Sequence, residues 1–137
     1  MILHAGLIAR YDAGGWRGVL IEGPSGAGKS DLALRCLHLG FRLVADDRVL
    51  IWRSGGRLFG RAPESLAGLM EVRNLGVLPT AALPLAPIAL AVRLGHGERL
   101  PDRETVRHLE VDLPVITLAG LENSAPAKLV RALDALG

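Results

Sequence analysis

The chain has 137 residues, half of them hydrophobic and 22% charged; this balance predicts one globular domain over residues 1–137 and excludes an intrinsically disordered chain. A net charge of +2, with only two Trp, two Phe and one Tyr, excludes a nucleic-acid binder built on a basic surface or a stacking platform. Cys36 is the single cysteine, which excludes a disulfide framework and a thiolate metal cage.

In chain order, residues 2–11 and 18–22 read as two strands around a Gly-rich loop, "DAGGWRG". The opening "MILHAGLIARY" is apolar but carries no basic leader or small-residue cleavage site, so a cytoplasmic protein is expected. "SDLALRCLHLG" follows, with Leu32, Leu34, Cys36, Leu37 and Leu39 among good helix formers and Gly40 as a stop. "RLVADD" is a short apolar strand ending in two carboxylates, and "RVLIWR" and "RLFGR" form a hairpin across "SGG". "APESLAGLM" is predicted as a short helix with Pro63 near its start, and a Pro-rich connection over 79–87 leads to the strand "IALAVRL". That connection also breaks the most apolar stretch, "VLPTAALPLAPIALAV", which is too short and too interrupted for a membrane span. "RHLEVDLPVITLAG" supplies one or two further strands. The last predicted element is a helix over "SAPAKLVRALDAL", capped by Ser124, with Pro126 in its first turn and Leu129, Val130, Leu133 and Leu136 on one face. The fold class is a strand-rich α/β domain with few helices.

The sharpest chemical signal is "GVLIEGPSGAGKSDLAL". Gly23, Gly28, Lys29 and Ser30 meet the P-loop spacing G-x-x-x-x-G-K-S. Such a loop surrounds phosphate oxygens with backbone N–H groups and presents the positive end of the following helix. The cradle comprises Gly23, Pro24, Ser25, Gly26, Ala27, Gly28, Lys29 and Ser30. Lys29 is placed to reach the β and γ phosphates and the Ser30 hydroxyl to ligate Mg²⁺; Gly26 and Gly28 let the backbone approach without a Cβ. A chance Gly-rich turn is the competing reading, and the apolar strand before the loop and helix pattern after it argue against that. Lys is scarce, with only Lys29 and Lys128 in the chain.

Asp46 and Asp47 fall at the carboxyl end of the next strand, where functional groups gather in α/β sheets. A carboxylate there can hold Mg²⁺ through water or accept the proton of an attacking hydroxyl; a solvated turn is the alternative. In "LMEVRNLGVL", Glu71 and Arg73 flank Val72 and share a side on an extended segment. They form either a surface ion pair or a metal ligand beside a phosphate-directed cation. Arg48, Arg53, Arg57 and Arg61 form a basic run that is a solvated face or a surface for an acidic partner. His38, His96 and His108 receive no role, and Cys36 is read as core.

These motifs, "GPSGAGKSDLAL", "LVADDRV" and "EVRNLGV" in this order, resemble the catalytic domain of the HPr kinase/phosphorylase family. "LHAGLIARY" is similar to the family strand that carries a functional His, placing it at His4, and "GERLPD" is similar to a segment with an active-site Arg, placing it at Arg99. The resemblance implies a P-loop core related to phosphoenolpyruvate carboxykinase, usually hexameric. It implies ATP- and Mg²⁺-dependent phosphorylation of a serine on HPr, a phosphocarrier of the sugar phosphotransferase system, and the reverse phosphorolysis. By the same resemblance Lys29 contacts the phosphates and Ser30 and Glu71 hold Mg²⁺. Asp47 exchanges the serine proton with support from Asp46, and His4 and Arg99 assist phosphate binding. Four departures stand out, one being that the loop "YDAGGWRG" is longer than the family's equivalent turn. The chain begins close to His4, so a short form without the family's common N-terminal domain is expected. Asn74 replaces a family Gly, and Asn tolerates left-handed backbone. "LAGLENSAPAKL" stands where the family has an Arg-rich segment tied to dephosphorylation, so phosphorolysis is expected to be weak or altered. A P-loop small-molecule kinase and a non-catalytic nucleotide-sensing module are the alternatives.

Overall fold

Apolar residues alternate along the first long strand, and the structure splits them between two cores. The computed structural model describes residues 1–12 and 14–137. Its elements in order are β1 (Ile2–Leu3), β2 (Ala5–Asp12), β3 (Gly15–Glu22), α1 (Lys29–Leu37), β4 (Phe41–Ala45), β5 (Val49–Ser54) and β6 (Arg57–Arg61). A one-turn 3₁₀ segment, Glu64–Leu66, precedes β7 (Leu69–Val72), β8 (Gly76–Pro79), β9 (Ala86–Leu94), β10 (Glu104–His108), β11 (Val111–Leu118) and α2 (Ala125–Asp134). Ala5, Leu7 and Ala9 of β2 face one core with Leu20 of β3; Ile8, Val19 and Ile21 face the other, where Leu32, Ala33 and Cys36 of α1 and Leu129 and Leu133 of α2 cover them.

Nine strands form one mixed sheet. β9 lies parallel to β3, and β2 and β4 continue antiparallel on that flank. On its other side β9 pairs first with β6, which leads to β5 and β1, and then in parallel with β11, which carries β10. Pro114 cannot donate to a ladder, and the β11–β9 pairing starts one residue later, at Val115. β7 and β8 form a separate two-stranded hairpin. Parallel β3 and β9 bring the ends of both strands, Glu22 and Leu94, to the same edge of the sheet.

The β3–β9 register shifts between Gly18 and Val19, which pair with Ile88 and Leu90 and leave Ala89 as an extra residue. The bulge brings the β9 backbone against Gly18, where a Cβ would lie 2.4 Å from Pro87 O. Gly18→Ala is therefore expected to force the two central strands apart and cost about 2–4 kcal/mol. A lower urea midpoint at unchanged m-value is the expected signature.

Three local expectations change. "DAGGWRG" is mostly ladder, because β2 and β3 stay paired out to Asp12 opposite Gly15. "APESLAGLM" forms only the 3₁₀ turn; Ala67, in extended conformation, ends it, Gly68 follows at φ 71, and Met70 enters the core from a strand. Ser124 is the N-cap of α2, but its side chain makes no capping hydrogen bond, while Pro126 sits in the first turn as predicted. The hairpin across Gly55 and Gly56, both at positive φ, forms as read. Cys36 is buried, and burial pushes its thiol up to about 11, which makes it a packing residue at neutral pH. Among the described residues no helix is long and apolar enough to cross a membrane.

Candidate functional site at the glycine-rich loop

The loop between β3 and α1 begins at a close contact with the end of β9. A Cβ on Gly23 would meet Leu94 Cβ at 3.0 Å. Gly26 and Gly28 adopt φ 82 and 95, and Gly28 is the N-cap of α1 with no side chain capping it. The N–H groups of the first helical turn are thus left for another acceptor, at the positive end of the helix dipole. Lys29 folds its ammonium back over the loop, donating to Gly23 O at 2.7 Å and Pro24 O at 3.1 Å. This arrangement can hold an anion.

Asp46 joins the loop to the rest of the site. It is 6% exposed and is the only buried charged residue among those described. Ser30 Oγ donates to its Oδ1 at 2.7 Å, and the Glu71 backbone N–H donates to its Oδ2 at 2.9 Å. One carboxylate therefore fixes the first turn of α1, the end of β4 and the start of the β7–β8 hairpin. With its hydrogen committed to Asp46, the Ser30 hydroxyl offers only lone pairs elsewhere.

Asp47 has φ 66, and Arg48 N donates to Asp46 O at 2.7 Å across it. This is a γ-turn of the rarer positive-φ hand, a strained conformation of the kind that collects at functional sites. The turn sends Asp46 inward and leaves the Asp47 carboxylate exposed, 3.7 Å from Arg48 Nε. The two adjacent acids thus have opposite environments.

Glu71 lies on β7 and Arg73 in the turn that follows, where Asn74 takes φ 72. The left-handed position is the one that Asn was expected to tolerate. Glu71 and Arg73 form no ion pair with each other among the described residues. Both line an open cavity of about 330 Å³, together with Ser25, Gly26, Gly28, Lys29 and Ser30 of the loop, Asp31 and Leu34 of α1, and Asp47 and Val72.

His4 and Arg99 are exposed and do not line that cavity. His4 occupies the bend between β1 and β2, one residue beyond the Ala5–Glu22 pair, which sets it at the sheet edge where the loop begins. Arg99 follows β9 at the same edge. Asp31 and Leu34, absent from the sequence reading of the site, are one helical turn apart on a face of α1 toward the cavity; the i, i+3 spacing after the loop was the available signal. His108 Nε2 also lies 2.9 Å from Glu22 Oε1, beside the start of the loop, a contact across 86 residues with no local sequence signature.

A strand-rich α/β domain on a mixed sheet, with a glycine loop, a helix N-terminus and strand-end carboxylates around one cavity, defines the class. Residues 2–83 match the family described as HPr Serine kinase C-terminal domain, and the chain belongs to that family. It is 37% identical to the HPr kinase/phosphorylase of Pediococcus pentosaceus over 85% of this chain and 41% of the relative. Against the HPr kinase/phosphorylase of Stenotrophomonas maltophilia the identity is 38%, over 99% of this chain and 48% of the relative. The chain thus spans less than half the length of these curated relatives. The structure of the Hpr(Ser) kinase/phosphatase from Coxiella burnetii superposes with a TM-score of 0.81, covering 100% of this chain and 99% of that one, at 24% identity; this likeness establishes the fold.

Proposed function

We propose that residues 1–137 form a P-loop catalytic domain, related to that of phosphoenolpyruvate carboxykinase, that transfers the γ-phosphoryl group of ATP to a serine of HPr or a paralogous phosphocarrier. The observation that carries this reading is the Asp46 bridge, which sets Ser30 and Glu71 around the same cavity as Lys29 and Asp47. The loop N–H groups and Lys29 bind the phosphates. Asp47 accepts the serine proton as the serine oxygen bonds to the γ-phosphorus and the bond to ADP breaks. Arg73 supplies positive charge in the cavity, and His4 and Arg99 supply it from the same sheet edge.

The donor set fits Mg²⁺. Ser30 presents lone pairs and Glu71 a carboxylate, and a magnesium ion held partly by phosphates needs only one or two protein ligands. When bound, Mg²⁺ neutralises charge on the phosphates. Catalysis by this chain's residues is then positioning and charge stabilisation. Phosphorolysis is weak, because the segment 118–129 lacks guanidinium groups. A cytoplasmic homo-oligomer, hexameric by family resemblance, is the expected setting.

The test is incubation with γ-labelled ATP, Mg²⁺ and HPr. Acid-stable label on an HPr serine is the expected result. ATP binding without label on HPr points to a nucleotide-sensing module, and label on a metabolite to a small-molecule kinase.

A further inference from the structure

The loop has a second neighbour that the transfer chemistry leaves unused. The turn Ala119–Glu122, between β11 and α2, is closed by Glu122 N donating to Ala119 O at 3.1 Å. It is wedged against the glycine loop. A Cβ on Gly120 would lie 2.8 Å from Leu94 Cδ1 and 3.3 Å from Ala27 O, and a Cβ on Gly28 would lie 2.8 Å from Leu121 Cδ2. Arg35 of α1 grips this turn. Its Nη1 donates to Glu122 O at 2.9 Å and its Nη2 to Gly120 O, while its Nε holds Asp31 at 3.0 Å. One guanidinium therefore pins the carbonyls on both sides of Leu121.

The residue so carefully held is not a core residue. Leu121 is 67% exposed, so the fixed turn presents a large apolar side chain to solvent directly beside the phosphate loop. Beyond its contact with Gly28, holding it rigid gains little packing for the free protein; it lowers the ordering cost of whatever covers it. The cavity wall on the Asp47, Glu71 and Arg73 side is charged and matches phosphates and an incoming hydroxyl. A nucleotide whose phosphates fill the loop must direct its base elsewhere, and the apolar surface that touches Gly28 is Leu121.

We infer that Leu121 is the platform for the nucleobase, burying one face of the ring by apolar contact, and that Arg35 is the residue that positions it. This rests on reading the loop as a nucleotide cradle. Titration calorimetry with Mg·ATP and with Mg·tripolyphosphate, which has phosphates but no base, separates the two ideas. The wild-type protein is expected to bind both, and ATP more tightly. In Leu121→Ala the ATP Kd rises about five- to tenfold, the scale of one lost side-chain contact, while tripolyphosphate affinity is unchanged and Leu121→Met retains ATP binding. Because the side chain is exposed, the melting temperature serves as the control for folding. A variant that binds ATP as the wild type does, or weakens both ligands alike, overturns the platform and leaves the cradle standing. Wild-type protein that binds neither ligand overturns the cradle and the platform together.

Discussion

Asp47→Asn is expected to lower the rate of phosphoryl transfer to HPr by about 10²–10⁴-fold, the range for loss of a general base, while ATP affinity changes little. The choice of Asn matters because Asp47 sits at φ 66. Asn is one of the few residues that enter this region readily, whereas Ala there would add strain of about 1–2 kcal/mol. The hydrogen bond that defines the turn, Arg48 N to Asp46 O, is entirely backbone, so it survives the change. The ion pair to Arg48 is lost, but at 3.7 Å between two exposed side chains it contributes little. What remains is a neutral group in the position of a carboxylate, unable to take a proton from serine. Steady-state kcat with HPr, set beside calorimetric ATP binding, measures both halves. Transfer within tenfold of wild type would remove Asp47 from the role of base and leave Glu71 and Asp31, the other exposed carboxylates that line the cavity, as the candidates.

The glycine loop and α1 were legible because their signals are local: glycine spacing, then apolar residues at helical intervals. The "SGG" hairpin was legible for the same reason. The β2–β3 hairpin was read as two strands around a turn, but its full length was not legible, because the outer part is stabilised by pairs formed across the turn. Arg10 faces Arg17 in the ladder and Tyr11 faces Trp16. The rings meet edge to face at 5.4 Å, and Asp12 accepts from both guanidinium groups, which hold its carboxyl below the usual range. Arg10 also reaches Asp134 at the end of α2, 124 residues away. A Gly-rich run with one Trp and one Arg reads as loop until those partners are known. The turn between β10 and β11 hides similarly: Leu109 and Glu110 take φ 48 and 64, positions that Gly or Asn would announce.

The site divides along the same line. Residue types and motif order placed Lys29, Ser30, Asp47, Glu71 and Arg73 at one cavity. The opposite burial of the two acids was hidden, because the burial of Asp46 depends on a hairpin 25 residues downstream donating its backbone N–H. Likewise the expected helix over "APESLAGLM" failed because Met70 fills the core beneath α1 from an extended strand, and that same strand delivers Glu71 to Asp46. Tertiary packing overrode local propensity here, and the override built the site.

Asp46 should therefore separate structure from chemistry when two substitutions are compared. Asp46→Ala removes both acceptors and leaves the Ser30 hydroxyl and the Glu71 N–H unpaired, at an expected cost of about 2–4 kcal/mol. The hairpin that carries Glu71 and Arg73 loses its tie to the loop, and Mg·ATP binding falls with it. Asp46→Asn retains one acceptor. If that oxygen takes the Glu71 N–H, the amide NH₂ is turned toward Ser30 Oγ and donates to it. The hairpin then stays docked and most of the stability is kept, but a Ser30 lone pair becomes occupied by the amide and is lost to a metal. The expected pattern is a near-normal urea midpoint for Asn with a reduced one for Ala, and loss of the Mg²⁺-dependent part of ATP affinity in both. An Asn variant that gains from Mg²⁺ as the wild type does would mean that Ser30 is not presented through Asp46, and Glu71 would then have to hold the metal without it.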